Sequence, residues 1–381
     1  MSLNHPLGPP ESERHWVATA AELATGFAAT AAEHDDTAEL PVGNLRVLHA
    51  SGLDAALLPR ELGGEALSYR SFGEIVRILA AACPSTACVW LMHVGAATVL
   101  VQLSTPDMAG CYASEFRAGR RFANALSEPS SGNLFLMPLQ EAEPVPGGYR
   151  LTGAKRFVSG CEIADHLLVN ALVDGQPAFF GHAPDETVRF EPIWDAMGLR
   201  ASRSQLVRFD GTVLRAERRC PPPDPEAPPR PNHIAAGLAF LSLGIADAAL
   251  AALLRHARSR TLPTTGEPLG ALQWVRFAVA DARLRLDSAV LYAWHMAWLA
   301  DQCAPEFEPA ALRAKPLANE VARDIAQLGV RVGGGSGYLR SSPIQRHFRD
   351  AQAPALMAYS VEVCKDRVGQ EVLAEGTADA P

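Results

Sequence analysis

No Cys-x-x-Cys pair occurs in the chain, and its seven cysteines (83, 88, 111, 161, 220, 303 and 364) are scattered and odd in number, so they cannot all pair internally. Reduced thiols in a cytoplasmic protein fit that usage. Cys83, Cys88 and His93 follow one another at five-residue intervals inside an apolar stretch, which matches no common zinc arrangement, and no metal is expected. Positive charge is in deficit too: 34 Lys and Arg against 42 Asp and Glu give a net charge of −8. Such a surface gathers no phosphates, so neither DNA nor RNA is an expected partner. The N-terminus lacks the basic-then-apolar order of a signal peptide. The longest apolar run, Ile234 to Leu254, carries Ser242 and Asp247 within an Ala, Leu and Gly background, which predicts a buried bundle helix and no membrane span.

What the chain does have is apolar mass. With 381 residues, 48% hydrophobic and 20% charged, it is large enough for two or three domains around a sizeable core. Ala-rich segments with apolar residues three and four apart predict a helical domain over residues 1–112. Between residues 113 and 220 the pattern changes to short alternating runs, such as Tyr149 to Thr152 and Leu206 to Phe209, with Pro144, Pro146 and the Gly147-Gly148 turn between them. That spacing predicts a β-sandwich or barrel. Seven prolines in residues 221–231 predict a stiff linker. Beyond it, long Ala, Leu and Arg-rich segments in residues 232–381 predict a four-helix bundle. The expected fold is α+β: an α-helical domain, a central β-domain and a helical bundle.

Several strings carry more chemistry than a fold needs. Ala125-Leu126-Ser127-Glu128-Pro129-Ser130-Ser131-Gly132 opens the β-region, and Gly153-Ala154-Lys155-Arg156-Phe157-Val158-Ser159-Gly160 follows it. Taken alone, the first is a turn and the second an amphipathic strand. Further on lie Met197 to Ser202, then Gly266-Glu267-Pro268-Leu269-Gly270 leading to Gln273, and Gly333-Gly334-Gly335-Ser336-Gly337. The glycine run has no following Lys-Ser/Thr and no preceding strand, so it is neither a P-loop nor a Rossmann turn. In this order the strings resemble the acyl-CoA dehydrogenase superfamily, whose members are FAD flavoproteins and include flavin-dependent monooxygenases.

The resemblance implies FAD as cofactor and assigns roles by position. Leu126, Ser127, Ser131 and Gly132 would border the flavin edge where negative charge gathers on reduction. Phe157 would cover the flavin and Ser159 would stand near its N5. Arg260, Gln273, Arg331, Gly334 and Gly335 would meet the adenosine and pyrophosphate half, across a subunit interface. Such sites imply a homodimer or a homotetramer.

A dehydrogenase of this family removes the α-proton of an acyl thioester with a carboxylate while the flavin takes the β-hydride. Aligned on Arg349-Asp350, the usual glutamate position is Ala358, and the family's alternative position is Ile234, so neither holds a carboxylate. Glu362, His233 and Tyr359 are the candidate replacements by proximity in sequence, with His93 a further one in the N-terminal region. Three readings follow: α,β-dehydrogenation of an acyl thioester on CoA or an acyl carrier protein with a relocated base; a flavin monooxygenase using reduced flavin and O2, which needs no such base; and a silent family member acting as a binding subunit.

Overall fold

The structure is a computed structural model that describes residues 5–129, 135–222 and 230–375. Six helices come first: α1 (Arg14–Thr37), α2 (Val42–Ala50), α3 (Leu53–Ala56), α4 (Tyr69–Ala82), α5 (Pro84–Leu103) and α6 (Pro106–Arg117). Local chemistry sets their limits. Ser68 caps α4 by accepting the Ser71 N–H, and the Glu13 carboxylate accepts from the Ser68 and Ser71 hydroxyls, so the cap also fastens the chain's first turn. Proline opens both α5 and α6, where a missing N–H costs nothing.

Among the described residues seven strands follow: β1 (Phe122–Ala125), β2 (Ala142–Val145), β3 (Gly148–Ser159), β4 (His166–Val173), β5 (Gln176–His182), β6 (Val188–Glu191) and β7 (Ser204–Arg215). They form two sheets, ordered β1-β4-β5 and β2-β3-β7-β6, with β1 parallel to β4 and the other pairs antiparallel. Leu151, Val169, Phe180 and Phe209 fill the core between them.

The last region holds α7 (His233–Ser259), α8 (Gln273–Asp301), α9 (Phe307–Tyr338), α10 (Pro343–Asp350), α11 (Ala353–Leu356) and α12 (Val361–Glu375). Helix α7 starts where Asn232 accepts the Ala235 N–H, directly after Pro231. It packs against α4 closely enough that a Cβ on Gly244 would lie 2.2 Å from the Arg77 carbonyl oxygen. Arg77 then reaches Asp247, and Arg70 reaches Asp301 on α8. One apolar core therefore runs through both helical regions. Helices α5 and α7 are long and apolar enough to cross a bilayer, but 72% and 78% of their apolar windows are buried in the protein. They are core helices.

Two polar clusters join the regions. Asp54, buried, accepts from the Trp90 indole N–H at 2.7 Å and faces His49, His93 and Arg121. Although burial works against the charge, these partners hold its carboxyl well below the usual range. His93 accepts the Phe122 N–H on Nδ1, which leaves the ring proton on Nε2, towards Asp54. His93 thus joins α5 to β1. At the other junction Arg349 pairs with Asp35 of α1 and donates to the Met197 carbonyl, while the fully buried Asp350 accepts the Leu199 N–H.

Candidate active site

Strand β3 is interrupted by a register shift between Lys155 and Val158. Within the bulge Phe157 has a left-handed backbone (φ 61°) and its ring is 51% exposed, with the Arg156 guanidinium 4.8 Å from the ring centre and Trp194 edge-on at 6.1 Å. The left-handed backbone is strained for a phenylalanine, and the bulge holds its large ring out of the core. The Arg156 N–H donates to the Ser127 carbonyl at 2.8 Å, so the two strings read as flavin-facing are adjacent in space.

A fully buried ion pair lies beneath them. Lys155 Nζ donates to Glu128 Oε1 at 2.7 Å and to Asn170 Oδ1 at 2.9 Å. The Leu139 and Gln140 N–H groups donate to the same Glu128 carboxylate, at 2.9 and 3.2 Å, and Asn170 donates to the Phe135 carbonyl. The pair therefore clamps both ends of the segment between residues 128 and 140. Ser131 and Gly132 lie outside the described residues. Ser159 is buried, with its hydroxyl 2.7 Å from that of Ser204, which in turn is 2.9 Å from that of Ser202.

The residues expected at the adenosine half stand apart from this, at the end of α7 and on α8 and α9. Arg260 and Gln273 are exposed, and the Arg260 backbone bonds to His256 and Leu269. Arg331 lies over the Trp274 ring at 5.1 Å. Gly334 breaks helix α9 with φ 52° and ψ −146°, and neither it nor Gly335 has an atom within 4 Å of where a Cβ would stand. That surface is open.

A cavity of about 650 Å³ lies between the β-region and the bundle. Leu126 and Phe135 of the β-region, Val99 of α5, Leu238 of α7, and Ala358 and Tyr359 all line it. Its walls are mostly apolar. Arg230 and Glu308, both exposed, also line it. The Tyr359 ring lies tilted against that of Phe135, centroids 5.1 Å apart, and carries the Arg367 guanidinium 4.1 Å from its centre.

The chain belongs to the acyl-CoA dehydrogenase family. Residues 10–119 match the model of the acyl-CoA dehydrogenase N-terminal domain, and residues 231–373 that of the C-terminal domain. It is 28% identical to 3-sulfinopropanoyl-CoA desulfinase from Variovorax paradoxus, over 93% of each chain. The short-chain specific acyl-CoA dehydrogenase of Bos taurus is also 28% identical, over 87% of this chain and 83% of its own. Among solved structures, butyryl-CoA dehydrogenase from Megasphaera elsdenii superposes with a TM-score of 0.88 at 23% identity, over 98% of this chain and 100% of the other. The acyl-CoA dehydrogenase-like chain is thus a flavin oxidoreductase, and its cofactor is FAD.

This structure fits the cofactor. A half-exposed aromatic ring on a bulged strand with the Ser127 segment bonded beside it would give a flavin a planar wall and polar edge, and the separate open glycine surface would leave room for backbone to approach a phosphate or sugar. Bound there, FAD would supply a two-electron acceptor.

The candidate replacements for the base are placed unequally. Tyr359 lines the cavity. Glu362 is exposed, and its carboxyl is held below the usual range by its own backbone N–H and by Ser360. Counting one helical turn onward from Ala358 does not bring it inward, because Ala358 has φ 52° and α12 begins only at Val361. Glu362→Gln is accordingly expected to leave turnover within about twofold of the parent, as surface substitutions do; a steady-state rate assay checks this. His233 is buried at the start of α7, against Tyr69 and Phe72. Thr98 gives its hydroxyl proton to Val94, so its oxygen accepts from His233 Nδ1 at 3.0 Å. Burial pushes the imidazole down to about 4, which makes it a neutral packing group.

One cavity residue escaped the sequence reading. Lys315, among only three lysines in the chain, lines the cavity and is 6% exposed. The signal was available: a lysine among Ala311, Ala314 and Ala318, on the buried stripe of a helix and directly before Pro316.

Proposed function

We propose that this protein oxidises an apolar acyl thioester, on CoA or an acyl carrier protein, by removing hydrogens from its α and β carbons. The cavity carries this reading: it joins the flavin-facing segment at Leu126 and Phe135 to the Ala358-Tyr359 turn, and its inner wall suits an acyl chain. Trp274, Phe277 and Leu284 are exposed on α8, a face that a second copy would cover in a homodimer or homotetramer. A cytoplasmic location accords with the seven free cysteines.

The test is the visible spectrum of the FAD-loaded protein under anaerobic conditions with a panel of acyl-CoA thioesters, 3-sulfinopropanoyl-CoA among them. Bleaching by saturated thioesters is the expected result. A monooxygenase reading is favoured by one observation, the absence of a carboxylate at Ala358. It predicts a flavin that stays oxidised with every thioester, and oxygen transfer once flavin is reduced and air admitted.

A further inference from the structure

Lys315 differs from Lys155 in one respect that matters chemically. Lys155 faces a carboxylate at 2.7 Å, whereas Lys315 makes no ion pair among the described residues. Its Nζ donates to Asn319 Oδ1 and to the Pro354 carbonyl, both at 3.0 Å, and Asn319 is held in turn by the Ser242 hydroxyl at 2.6 Å. Two fixed acceptors satisfy the two N–H groups of a neutral amine. The fourth tetrahedral position on nitrogen is then left for a lone pair, or for a third N–H when the group is charged.

Other ionisable groups around it are few. Glu362 and Cys364 lie on α12, Cys364 also lining the cavity, and Tyr359 stands on the turn before them. Glu308, exposed, lies on the same helix as Lys315 and also lines the cavity. Burial pushes the amine down to about 8, against a smaller upward pull from Cys364 and Glu362. An appreciable neutral fraction is present near neutral pH, which is what a general base requires.

Given the reading of the cavity as an acyl-thioester site, we propose that Lys315 is the proton acceptor that stands in for the family's missing carboxylate. The Lys315 lone pair takes the α-proton as the Cα–H bond breaks. That electron pair becomes the Cα=Cβ π bond, and the Cβ–H pair departs as hydride to the oxidised flavin. Lys315 ends as an ammonium ion and the thioester as its α,β-unsaturated form. The hydrogen bonds to Asn319 and Pro354 position the Lys315 amine in the cavity wall.

The experiment separates proton removal from hydride transfer. FAD-loaded protein is reduced, mixed with a saturated acyl-CoA in D2O, and deuterium entry at the α-carbon is followed by mass spectrometry. The parent is expected to exchange, with a rate that rises with pH and levels off above about 8. K315M is expected to retain FAD and acyl-CoA binding and to lose about 10³-fold in exchange, the usual scale for a removed general base. K315Q keeps donors for Asn319 and Pro354 but has no basic lone pair, so it must fail equally; its rescue of exchange would make Lys315 a structural strut and overturn the proposal. Exchange by K315M at the parent's rate would overturn it as well. A parent that neither exchanges nor bleaches with any thioester removes the acyl-thioester reading itself, and the base with it.

Discussion

Lys155→Met is expected to lower the free energy of unfolding by about 3–5 kcal/mol, the scale found when one partner of a buried ion pair is removed. Both side chains of the Lys155–Glu128 pair are wholly buried. Methionine fills the same space but takes the ammonium partner away from the buried Glu128 carboxylate and from Asn170 Oδ1. Because Glu128 clamps the segment that runs on to Gln140, the same variant is expected to release FAD on dilution. Pairing it with Glu128→Gln removes the stranded charge and should restore part of the loss, so the two changes will not add. Urea denaturation of the two single variants and the double one measures this. A single variant within about 1 kcal/mol of the parent would mean that the pair contributes only a surface-like amount.

Acid should destabilise the protein well before its exposed carboxylates titrate. An unfolded histidine takes up its proton at 6.5, whereas His233 does so only near 4 and His347 near 3, both because burial disfavours the charged ring. Their contribution to stability is therefore complete above about pH 6.5 and is lost as the pH falls towards the folded values. Each such group removes up to about 1.4 kcal/mol per pH unit inside that window. Asp350 works the other way: its buried carboxyl is pushed up to about 6, so it takes its proton first in the folded state and adds stability as the pH falls from there towards 3.8. His233→Gln isolates one contribution. Between pH 7 and pH 5 the parent should lose about 2 kcal/mol more than the variant does, as read from denaturation curves at the two pH values. Parallel losses would show that His233 is not the neutral ring that its partners require.

Much of the architecture was legible because the patterns that encode it are local. Helical periodicity marked both α-regions and alternation marked β3 and β7, whereas most of the proline run read as a linker, residues 223–229, lies outside the described residues. The Ser127 and Phe157 strings were legible as separate resemblances only. Their adjacency depends on a contact between Glu128 and Lys155, 27 residues apart, which no local pattern encodes. The Phe157 bulge was hidden for a similar reason, since a left-handed phenylalanine inside an amphipathic strand has no compositional mark. The region around the base was least legible. Spacing along an assumed helix pointed to Glu362, but the backbone turns at Ala358 and that count no longer applies. Lys315 lay inside a segment whose apolar stripe predicted a bundle helix, and periodicity alone cannot distinguish a stripe that meets another helix from one that borders a cavity.

The most direct measurement of the central claim is the mass of the thioester recovered after one anaerobic turnover of FAD-loaded protein with one equivalent of a saturated acyl-CoA. A product lighter by two hydrogens, formed in step with loss of the oxidised flavin spectrum, is the predicted result. An unchanged thioester beside a fully oxidised flavin, with oxygen added to the substrate only when reduced flavin meets air, would contradict it.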